Sequence, residues 1–293
     1  MNILIISEFF PTGKDLKFTG GVETRNLYIA KHISKKYKVT IITTRLRNTK
    51  EHEIIEGVNV LRVGKEQEYK ATSSNIVGRI SFIREAIKTG REQNPDIVEG
   101  TNFICHFIAK KIVEKTGSKL VAWYPDVWVG QWVENAGLVG ILGEILERIN
   151  LRSKYAAIIA ISNETRLKLQ KHTTEKIVVI PCGVEKSEFE KNHKKQNVVV
   201  CISRLAKYKN IKTLILAFAL LVRSNKNFSL KIIGRGPEEK NLKTLVNKLH
   251  IDKNVQFVSN LKRKDLINNL ASAHLFVLPS VVEGFGISVI EAA

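Results

Sequence analysis

The sequence of 293 residues is poor in the residue types that organise small secreted and metal-stabilised proteins. Its 3 cysteines, Cys105, Cys182 and Cys201, are far apart, form no C-x-x-C pair and have no histidine at zinc-ligand spacing. A disulfide framework or a structural metal is therefore not expected. The low counts of 6 prolines and 18 glycines likewise argue against collagen-like and low-complexity chains.

Long apolar runs are also missing. No segment approaches the roughly 18 consecutive apolar residues that a membrane-spanning helix requires. The apolar start of the chain, Ile3–Ile6, is followed at once by Ser7 and Glu8, so it predicts a β-strand and not a signal peptide. We expect a cytoplasmic protein whose membrane contacts, if any, are peripheral and at the inner face.

Acidic residues are few relative to basic ones. The chain has 47 lysines and arginines against 28 aspartates and glutamates, a formal net charge of +19. Such an excess fits nucleic acid, an anionic membrane surface or a phosphorylated substrate. The basic residues are spread in small clusters, such as Lys262 to Lys264, and no RNA-binding motif accompanies them. Nucleic acid is therefore not favoured, and each cluster alone is typical of a solvated face.

What the sequence does contain is an alternation of short apolar runs with longer amphipathic stretches, which is typical of parallel strands connected by helices. In the first half, the pattern predicts helices at about 22–36, 75–93, 104–116, 138–153 and 163–171, and strands at Ile3–Ile6, Val39–Ile42, Val58–Val63, Ile97–Glu99, Leu120–Trp123, Ala157–Ile161 and Lys176–Ile180. The order indicates a doubly wound α/β sheet.

A second series of the same kind follows a polar, lysine-rich stretch. We expect a first domain at 1–184, a linker at 185–196 and a second domain at 197–293. Apolar residues from Ile211 to Val222 recur on one helix face, and the predicted strands are Asn197–Ser203, Ser229–Gly234, Val255–Val258 and Leu275–Leu278. Two Rossmann-like domains would face each other across a cleft, which is the default ligand site.

Three segments have the residue types needed to hold an anionic or polyhydroxyl ligand. The first is Gly20-Gly21, directly before a predicted helix. Bare backbone N–H groups at a helix start can approach an anion, although a turn that needs positive φ explains the glycines equally well. The pattern is not G-x-G-x-x-G, so a nicotinamide-binding fingerprint is missing.

The second segment joins a predicted strand to the helix from Ile211 and contains Arg204 and Lys209. Two cations at the carboxyl end of a strand suit a diphosphate, because arginine grips oxygens bidentately and lysine acts as a compact charge. A basic residue in a first turn opposes the helix dipole, so surface decoration explains Lys209 poorly. Lys207 is the alternative to Lys209.

The third segment is at the end of the chain. Glu283 leaves a strand in the loop Gly284-Phe285-Gly286, and Glu291 follows eight positions later, which predicts a place about two turns into a helix. Carboxylates at these heights can accept hydrogen bonds from two hydroxyls of an elongated ligand.

These residues together resemble a known family. Glu283 to Glu291 matches the E-x7-E signature of retaining GT-B glycosyltransferases of the group-1, or GT4-like, family, and the segments at Gly20, Arg204, Gly234 and Pro181 resemble its other landmarks in the expected order. The resemblance covers essentially the whole chain. It implies transfer of a sugar from a nucleoside-diphosphate-sugar donor to a hydroxyl acceptor, with retention of anomeric configuration. It places the donor mainly in the C-terminal domain and the acceptor mainly in the N-terminal one.

The resemblance also implies roles for single residues. Arg204 and Lys209 would bind the donor diphosphate and Glu283 the donor sugar, so these three are the expected catalytic residues. Glu291 would bind the ribose hydroxyls. The other donor-binding residues would be Gly20, Gly21, Gly234, Gly284, Phe285 and Gly286. No D-x-D pair exists, so we expect neither a bridging metal nor any cofactor, since the nucleotide sugar is a substrate.

Two departures from the family pattern limit what is carried over. Many relatives have His-Asp after the strand that precedes the acceptor cleft, whereas this chain has Pro125-Asp126. Asp126 is a candidate for binding the acceptor or the donor sugar, with a capping or turn role as the alternative. The chain also stops at Ala293 without a helix cap, so we expect the C-terminal domain to be truncated.

The acceptor is not set by these motifs. The positive charge, with apolar positions Phe9, Phe10, Trp128 and Trp132, favours a lipid-linked or cell-surface glycan acceptor at an anionic membrane, although these aromatics fit a core or a dimer contact equally well. Two alternatives to a transferase are a nucleotide-sugar 2-epimerase, against which E-x7-E argues, and a fragment that binds nucleotide or a partner without turnover.

Overall fold

A computed structural model describes residues 1–12, 20–68, 76–184, 194–259 and 261–293. Within these ranges, the residues up to Cys182 form one compact unit and those from Gly183 form a second. The predicted linker at 185–196 lies mostly outside the described residues, and its last residue, Gln196, already belongs to a strand.

The first unit is built on an eight-stranded sheet in the order β3-β4-β2-β1-β5-β6-β7-β8. Every neighbouring pair is parallel except β3 and β4, which are antiparallel at one edge. The strands are β1 (Asn2–Ile6), β2 (Lys38–Leu46), β3 (His52–Ile55), β4 (Val58–Gln67), β5 (Ile97–Gly100), β6 (Lys119–Tyr124), β7 (Ala157–Ala160) and β8 (Ile177–Val179).

The helices of the first unit connect these strands as crossovers. They are α1 (Gly21–Ile33), α2 (Ile76–Glu92), α3 (Phe103–Thr116), α4 (Trp132–Ala136), α5 (Gly140–Leu151) and α6 (Asn163–Leu169), with a 3-10 turn at Gly137–Val139. Apolar residues of α2, α3 and α5 share one core cluster with the central strands. Phe82 of α2 and Ile108 of α3 are fully buried in it.

The second unit has a four-stranded parallel sheet in the order β11-β10-β9-β12. Its strands are β9 (Gln196–Ile202), β10 (Ser229–Ile233), β11 (Val255–Val258) and β12 (Ala273–Phe276), and its helices are α7 (Ile211–Ser224), α8 (Glu239–Lys248), α9 (Arg263–Ser272) and α10 (Ile287–Ala292). The predicted apolar face of α7 packs into the core of this unit, with Ile215 and Phe218 buried against Leu230 and Ile232.

The α/β fold class is confirmed, and each predicted strand exists. Most lie within two residues of their expected bounds, but β2 and β4 each continue four residues beyond the predicted ends at Ile42 and Val63. The sequence did not predict the short antiparallel strand β3, or helices α4, α8 and α9. The predicted helix 138–153 begins as a 3-10 turn, and α5 itself starts at Gly140. Among the described residues, no helix combines the length and the apolar character needed to cross a bilayer.

Candidate functional site

In the second unit, backbone hydrogen bonds connect the segments that follow β9 and β10 at their carboxyl ends. Ser203 donates its backbone N–H to Ile233 O at 3.0 Å, and Leu205 donates to Arg235 O at 2.9 Å. Gly234 lies between them with φ +150°, and a Cβ on it would sit 1.9 Å from Ser203 O. Only glycine fits here, because a side chain would clash with backbone. The turn role of Gly234 is therefore structural, and its place in a nucleotide pocket stays a prediction.

A 3-10 turn at Lys207–Lys209 connects β9 to α7. Asn210 ends this turn in the left-handed conformation, with φ 52°, and directly precedes α7. The backbone N–H of Val281 donates to Tyr208 O at 2.9 Å, so the loop after β12 is fastened to this turn. Two of the three segments singled out in the sequence therefore meet at one place.

Lys209 and Glu283 form an ion pair at this junction, with 2.5 Å between Nζ and Oε2. The lysine side chain is mostly buried and the carboxylate is half-buried. A charge-assisted hydrogen bond in such a setting is stronger than one on an open surface. Arg204, at the same strand end, is exposed and forms no ion pair with the other described residues. Lys207 is exposed as well, so the structure places Lys209, and not its alternative, against Glu283.

The loop from Gly284 to Gly286 follows Glu283 directly. Gly284 and Phe285 are half-buried, whereas Gly286 is buried with φ 75° and precedes α10. This left-handed residue delays the start of the helix to Ile287. Glu291 is therefore just over one turn into α10, and the expected two turns are wrong.

Glu291 is only 8% exposed, and its carboxylate pairs with Arg263 of α9 at 2.6 Å. The interpretation of the cluster Lys262 to Lys264 as a solvated face is wrong for Arg263, whose side chain is largely buried. Sequence reasoning missed this residue because a basic cluster gives no sign of which member turns inward. The contact of Glu291 with a ribose stays a prediction. In the structure, the carboxylate of Glu291 is paired with Arg263.

The glycine pair lies at the start of α1 in the first unit. Gly20 is extended, with φ −171°, and no atom of the described residues lies within 4 Å of the position its Cβ would take. The alternative that a positive-φ turn requires Gly20 is therefore wrong, because any residue adopts this conformation. Gly21 is the first residue of α1 and is exposed. Neither the backbone conformation nor the described surroundings of position 20 demand a glycine, and the approach of this backbone to donor phosphates stays a prediction.

Asp126 follows β6 and is held by two contacts. It accepts the backbone N–H of Val127 at 2.8 Å and the Lys168 ammonium at 3.0 Å. Partial burial of Lys168 opposes its charge, but bonds to Asp126 and Glu164 outweigh it and raise the pKa of the lysine. Asp126 is thus engaged by a neighbouring N–H and by a lysine of α6, and both the acceptor contact and the capping or turn role stay predictions.

A polar cluster in the first unit was not anticipated from the sequence. Glu8, directly after β1, accepts Nε of Arg79 at 2.9 Å and Nδ2 of Asn102 at 3.0 Å. Because Asn102 follows β5 and Asp126 follows β6, these groups share the carboxyl edge of the sheet, where α/β proteins bind ligands. Of Glu8, Arg79 and Asn102, only Glu8 could have been singled out in the sequence, as an acidic residue just after a predicted strand. Its two partners are identified only by the folded structure.

Two buried titratable groups in the first unit have shifted pKa values. Burial lowers the pKa of His106 to about 4, so its ring is neutral near pH 7. Burial also raises the pKa of Glu147 to about 7, against hydrogen bonds from Trp132 and Trp128. His274, in the second unit, is exposed. Across the described ranges, no group of three or more His, Cys, Asp or Glu side chains is arranged to hold a metal ion.

Known relatives match in two ranges of the chain. The family described as Glycosyltransferase Family 4 matches residues 19–188, and the family of group 1 glycosyl transferases matches residues 184–293. A GDP-mannose-dependent monoacylated alpha-(1-6)-phosphatidylinositol monomannoside mannosyltransferase from Corynebacterium glutamicum is 34% identical over 92 residues, which are 31% of this chain and 24% of that protein. Curated glycosyltransferase relatives are matched over only part of their own length, between 24% and 39%.

Solved structures match nearly the whole chain. Sucrose-phosphate synthase from Thermosynechococcus elongatus superposes with a TM-score of 0.79 at 17% identity, covering 99% of this chain and 78% of that one. HepE from Anabaena, in complex with UDP-glucose, superposes with a TM-score of 0.70 at 16% identity, covering 100% and 78%. At these identities the likeness establishes the fold, and the two family matches establish the lineage. The chain belongs to the group 1 and family 4 glycosyltransferases, which have the GT-B fold.

Proposed function

We propose that this chain binds a nucleoside-diphosphate sugar and transfers the sugar to a hydroxyl acceptor with retention of configuration. The observation that carries the proposal is the ion pair of Lys209 and Glu283 beside the exposed Arg204, at the carboxyl end of β9. These residues come from sequence segments 74 positions apart and converge where open α/β sheets bind ligands.

The chemistry follows from the charges. In transfer, the bond between the anomeric carbon and the diphosphate oxygen breaks, and a bond to the acceptor oxygen forms as the acceptor hydroxyl loses its proton. Negative charge develops on the leaving diphosphate, and fixed cations stabilise such charge most effectively when they are already in place. Arg204 and Lys209 would supply that stabilisation, and Glu283 would accept hydrogen bonds from the sugar hydroxyls.

The reaction as proposed uses no cofactor and no bridging metal, because we assign the neutralisation of the diphosphate charge to Arg204 and Lys209. The base and the sugar are not fixed by these residues. HepE binds UDP-glucose and the Corynebacterium glutamicum relative depends on GDP-mannose, so both uridine and guanosine donors are candidates here.

For the acceptor, we favour a lipid-linked or cell-surface glycan reached from the inner face of an anionic membrane. The net charge of +19 supports this, and the mannosyltransferase relative acts on a phosphatidylinositol mannoside. The four aromatics named for membrane contact do not support it. Phe10 is buried, and Phe9, Trp128 and Trp132 are each half-buried.

A second candidate function is nucleotide binding without turnover. Pro125 stands where many relatives have histidine, and the adjacent Asp126 is engaged by Lys168 and Val127. Such a protein would retain the diphosphate site and lack transfer.

The test is the thermal stability of the chain with UDP, GDP, ADP and their sugars. A ligand at 100 times its Kd stabilises a protein by about 2.7 kcal/mol, which is a measurable shift in Tm. We expect one nucleotide to raise Tm and Arg204→Ala to abolish the shift, whereas Arg223→Ala, an exposed arginine on α7, retains it. Transfer from a radiolabelled donor then separates the enzyme from the binder. No shift with any nucleotide would contradict both.

A further inference from the structure

Helix α5 is oriented opposite to the usual surface helix. Its buried residues are Gly140, Gly143, Glu147, Asn150 and Leu151. Its exposed residues are large aliphatic ones, which with Leu138 of the preceding turn form the α5 apolar face: Leu138, Ile141, Leu142, Ile145 and Ile149. Leu138 is 83% exposed and Leu142 69%. A surface helix ordinarily directs such a stripe to the core and its polar residues to water.

This orientation is fixed by the packing of the buried side. Glu147 accepts Nε1 of Trp132 at 2.5 Å and the backbone N–H of Trp128 at 3.3 Å. A Cβ on Gly143 would lie 2.5 Å from the Trp132 ring, so the glycine allows the indole to pack directly on the helix. Asn150 donates to Phe103 O at 2.7 Å. Rotation of α5 to bury its aliphatic stripe would break all of these contacts.

The α5 apolar face is continuous along the helix. At 100° per residue, Ile141, Leu142, Ile145 and Ile149 lie within one half of the helix circumference. The charged residues on the exposed side, Glu144 and Arg148, lie at its margin and pair with each other at 2.7 Å. A contiguous apolar surface of this kind marks a site of contact with an apolar partner.

The borders of this face are mainly basic. Arg148 lies at the margin, and Arg152 and Lys154 are exposed just beyond the end of α5. Partial burial lowers the pKa of His172, in the segment after α6, and the nearby charges of Arg148 and Lys171 lower it further, against the opposing charge of Glu144. The acidic residues beside the face are Glu134, which is exposed, and Glu144, which is held by Arg148. Aliphatic residues bordered by cations are complementary to anionic lipid.

We infer that the α5 apolar face inserts into the surface of a bilayer that contains anionic lipids. A protein partner is less well matched, because the centres of protein interfaces are rich in aromatic residues and arginine, and this face has neither at its centre. Helix α5 begins on the side of the sheet where β6 ends and Asp126 lies. Insertion would therefore bring the carboxyl edge of this sheet to the lipid surface, and a lipid-linked acceptor there rests on the proposed function.

The test is co-sedimentation of the chain with phosphatidylcholine vesicles, with and without phosphatidylglycerol. We expect binding to the anionic vesicles that weakens at high salt. Leu142→Ser with Ile145→Ser should weaken it about tenfold or more, because two side chains no longer enter the hydrocarbon. The matched control is Leu220→Ser with Ile54→Ser, an equally exposed pair outside the face, which should bind as the unchanged chain does.

Three results would overturn the inference. They are absence of binding to anionic vesicles, equal binding by the Leu142 and Ile145 variant, or a dimer in sedimentation that this variant dissociates, which would make the face a self-association surface. Nucleotide-induced Tm shifts measured on the same variants report on the donor site alone. A chain that binds lipid and no nucleotide would contradict the proposed donor site. One that binds nucleotide and no lipid would contradict this inference and the membrane acceptor favoured above, and would leave the donor site standing.

Discussion

The Lys209 ammonium lies 2.5 Å from the Glu283 carboxylate, although the two residues are 74 positions apart in sequence. The pair joins the turn after β9 to the loop after β12. It also means that the lysine expected to bind a diphosphate is already neutralised by a carboxylate in the chain without ligand. Donor binding at Lys209 would therefore exchange one anion for another.

This exchange predicts opposite effects for two substitutions. Lys209→Ala should weaken binding of the nucleoside diphosphate about tenfold or more, because a charge-assisted contact is lost. Glu283→Gln should leave that binding unchanged or tighten it by a few fold, because the competing carboxylate is gone. Sugar transfer by Glu283→Gln should nevertheless fall about a hundredfold. Calorimetric titration with the nucleotide, and transfer from the labelled sugar donor, measure the two effects separately.

The control for these substitutions is stability. The Glu283 carboxylate of this pair is 33% exposed and so partly solvated, which limits the contribution of the pair to about 1 kcal/mol, and both variants should melt close to the unchanged chain. If Glu283→Gln weakened nucleotide binding as much as Lys209→Ala, the pair would be a structural clamp, and its proposed role in donor binding would be wrong.

Gly234 and Gly20 should respond differently to a small side chain. Gly234→Ala introduces a Cβ 1.9 Å from Ser203 O at φ +150°, so we expect a loss of about 3 kcal/mol in the free energy of unfolding. Gly20→Ser fits the extended backbone and supplies a helix N-cap, so stability should rise by a few tenths of a kcal/mol.

If the backbone at Gly20 must approach phosphates, Gly20→Ser should reduce transfer about tenfold or more despite its intact fold. Thermal melts followed by transfer assays test this pair. Unchanged transfer by Gly20→Ser would remove Gly20 from the donor site. An unchanged melt for Gly234→Ala would contradict the close backbone approach.

The sequence predicted the strands, and it predicted positions at strand ends for Arg204, Lys209 and Glu283, because both depend on local signals. Short β-branched runs indicate buried parallel strands, and the carboxyl ends of such strands share one edge. The pairing of Lys209 with Glu283 was not predictable in the same way. It depends on which strand neighbours β9, and β12 occupies that place only in the folded sheet.

Helix α5 shows a second limit. Its periodicity correctly predicts an amphipathic helix. The apolar face of a surface helix normally packs against the core, which here would bury Ile141, Leu142 and Ile145. The structure reverses this, because Glu147 and the glycines hold Trp132 on the buried side. Periodicity locates the apolar face of a helix and does not specify what that face contacts. The same limit applies to Arg263. It is flanked by the basic residues Lys262 and Lys264, so the sequence does not indicate which of the three is buried.

The Arg263–Glu291 pair should be important for stability as well as for ligand binding. Removing one partner of a largely buried ion pair lowers the free energy of unfolding by roughly 3 kcal/mol, because the other charge remains buried without a partner. We therefore expect Glu291→Ala to lower Tm in the absence of any nucleotide. Arg263→Ala should do the same, and the double substitution should cost less than the sum of the two.

A double-mutant cycle from chemical unfolding measures this coupling. Additive losses would show that the pair contributes little, contrary to its burial. The practical consequence is that nucleotide binding by Glu291→Ala must be measured by direct titration at a temperature where the variant is folded. A smaller melting shift alone would not distinguish a lost ribose contact from a weakened unit.

Glu147 should make the stability of the first unit depend on pH. Burial raises the pKa of this carboxyl from 4.5 to about 7, so the folded chain retains a proton that the unfolded chain has lost between these values. Stability from this group is therefore complete below about pH 4.5 and is lost as the pH rises to about 7, by about 3 kcal/mol in all. Burial of His106 acts in the opposite direction, because its pKa falls from 6.5 to about 4.

The two contributions are separated by comparing the unchanged chain with Glu147→Gln across pH 5 to 8. The variant cannot ionise at this position, so its free energy of unfolding relative to the unchanged chain should rise steadily with pH and level off above about 7. Loss of the weaker bond from Trp128 would lower the variant by a constant amount and leave this slope intact. Glu134→Gln, an exposed carboxylate of α4, is the matched control. Parallel curves for Glu147→Gln and the unchanged chain would show that Glu147 is already ionised in the fold, and that its bonds from Trp132 and Trp128 outweigh its burial.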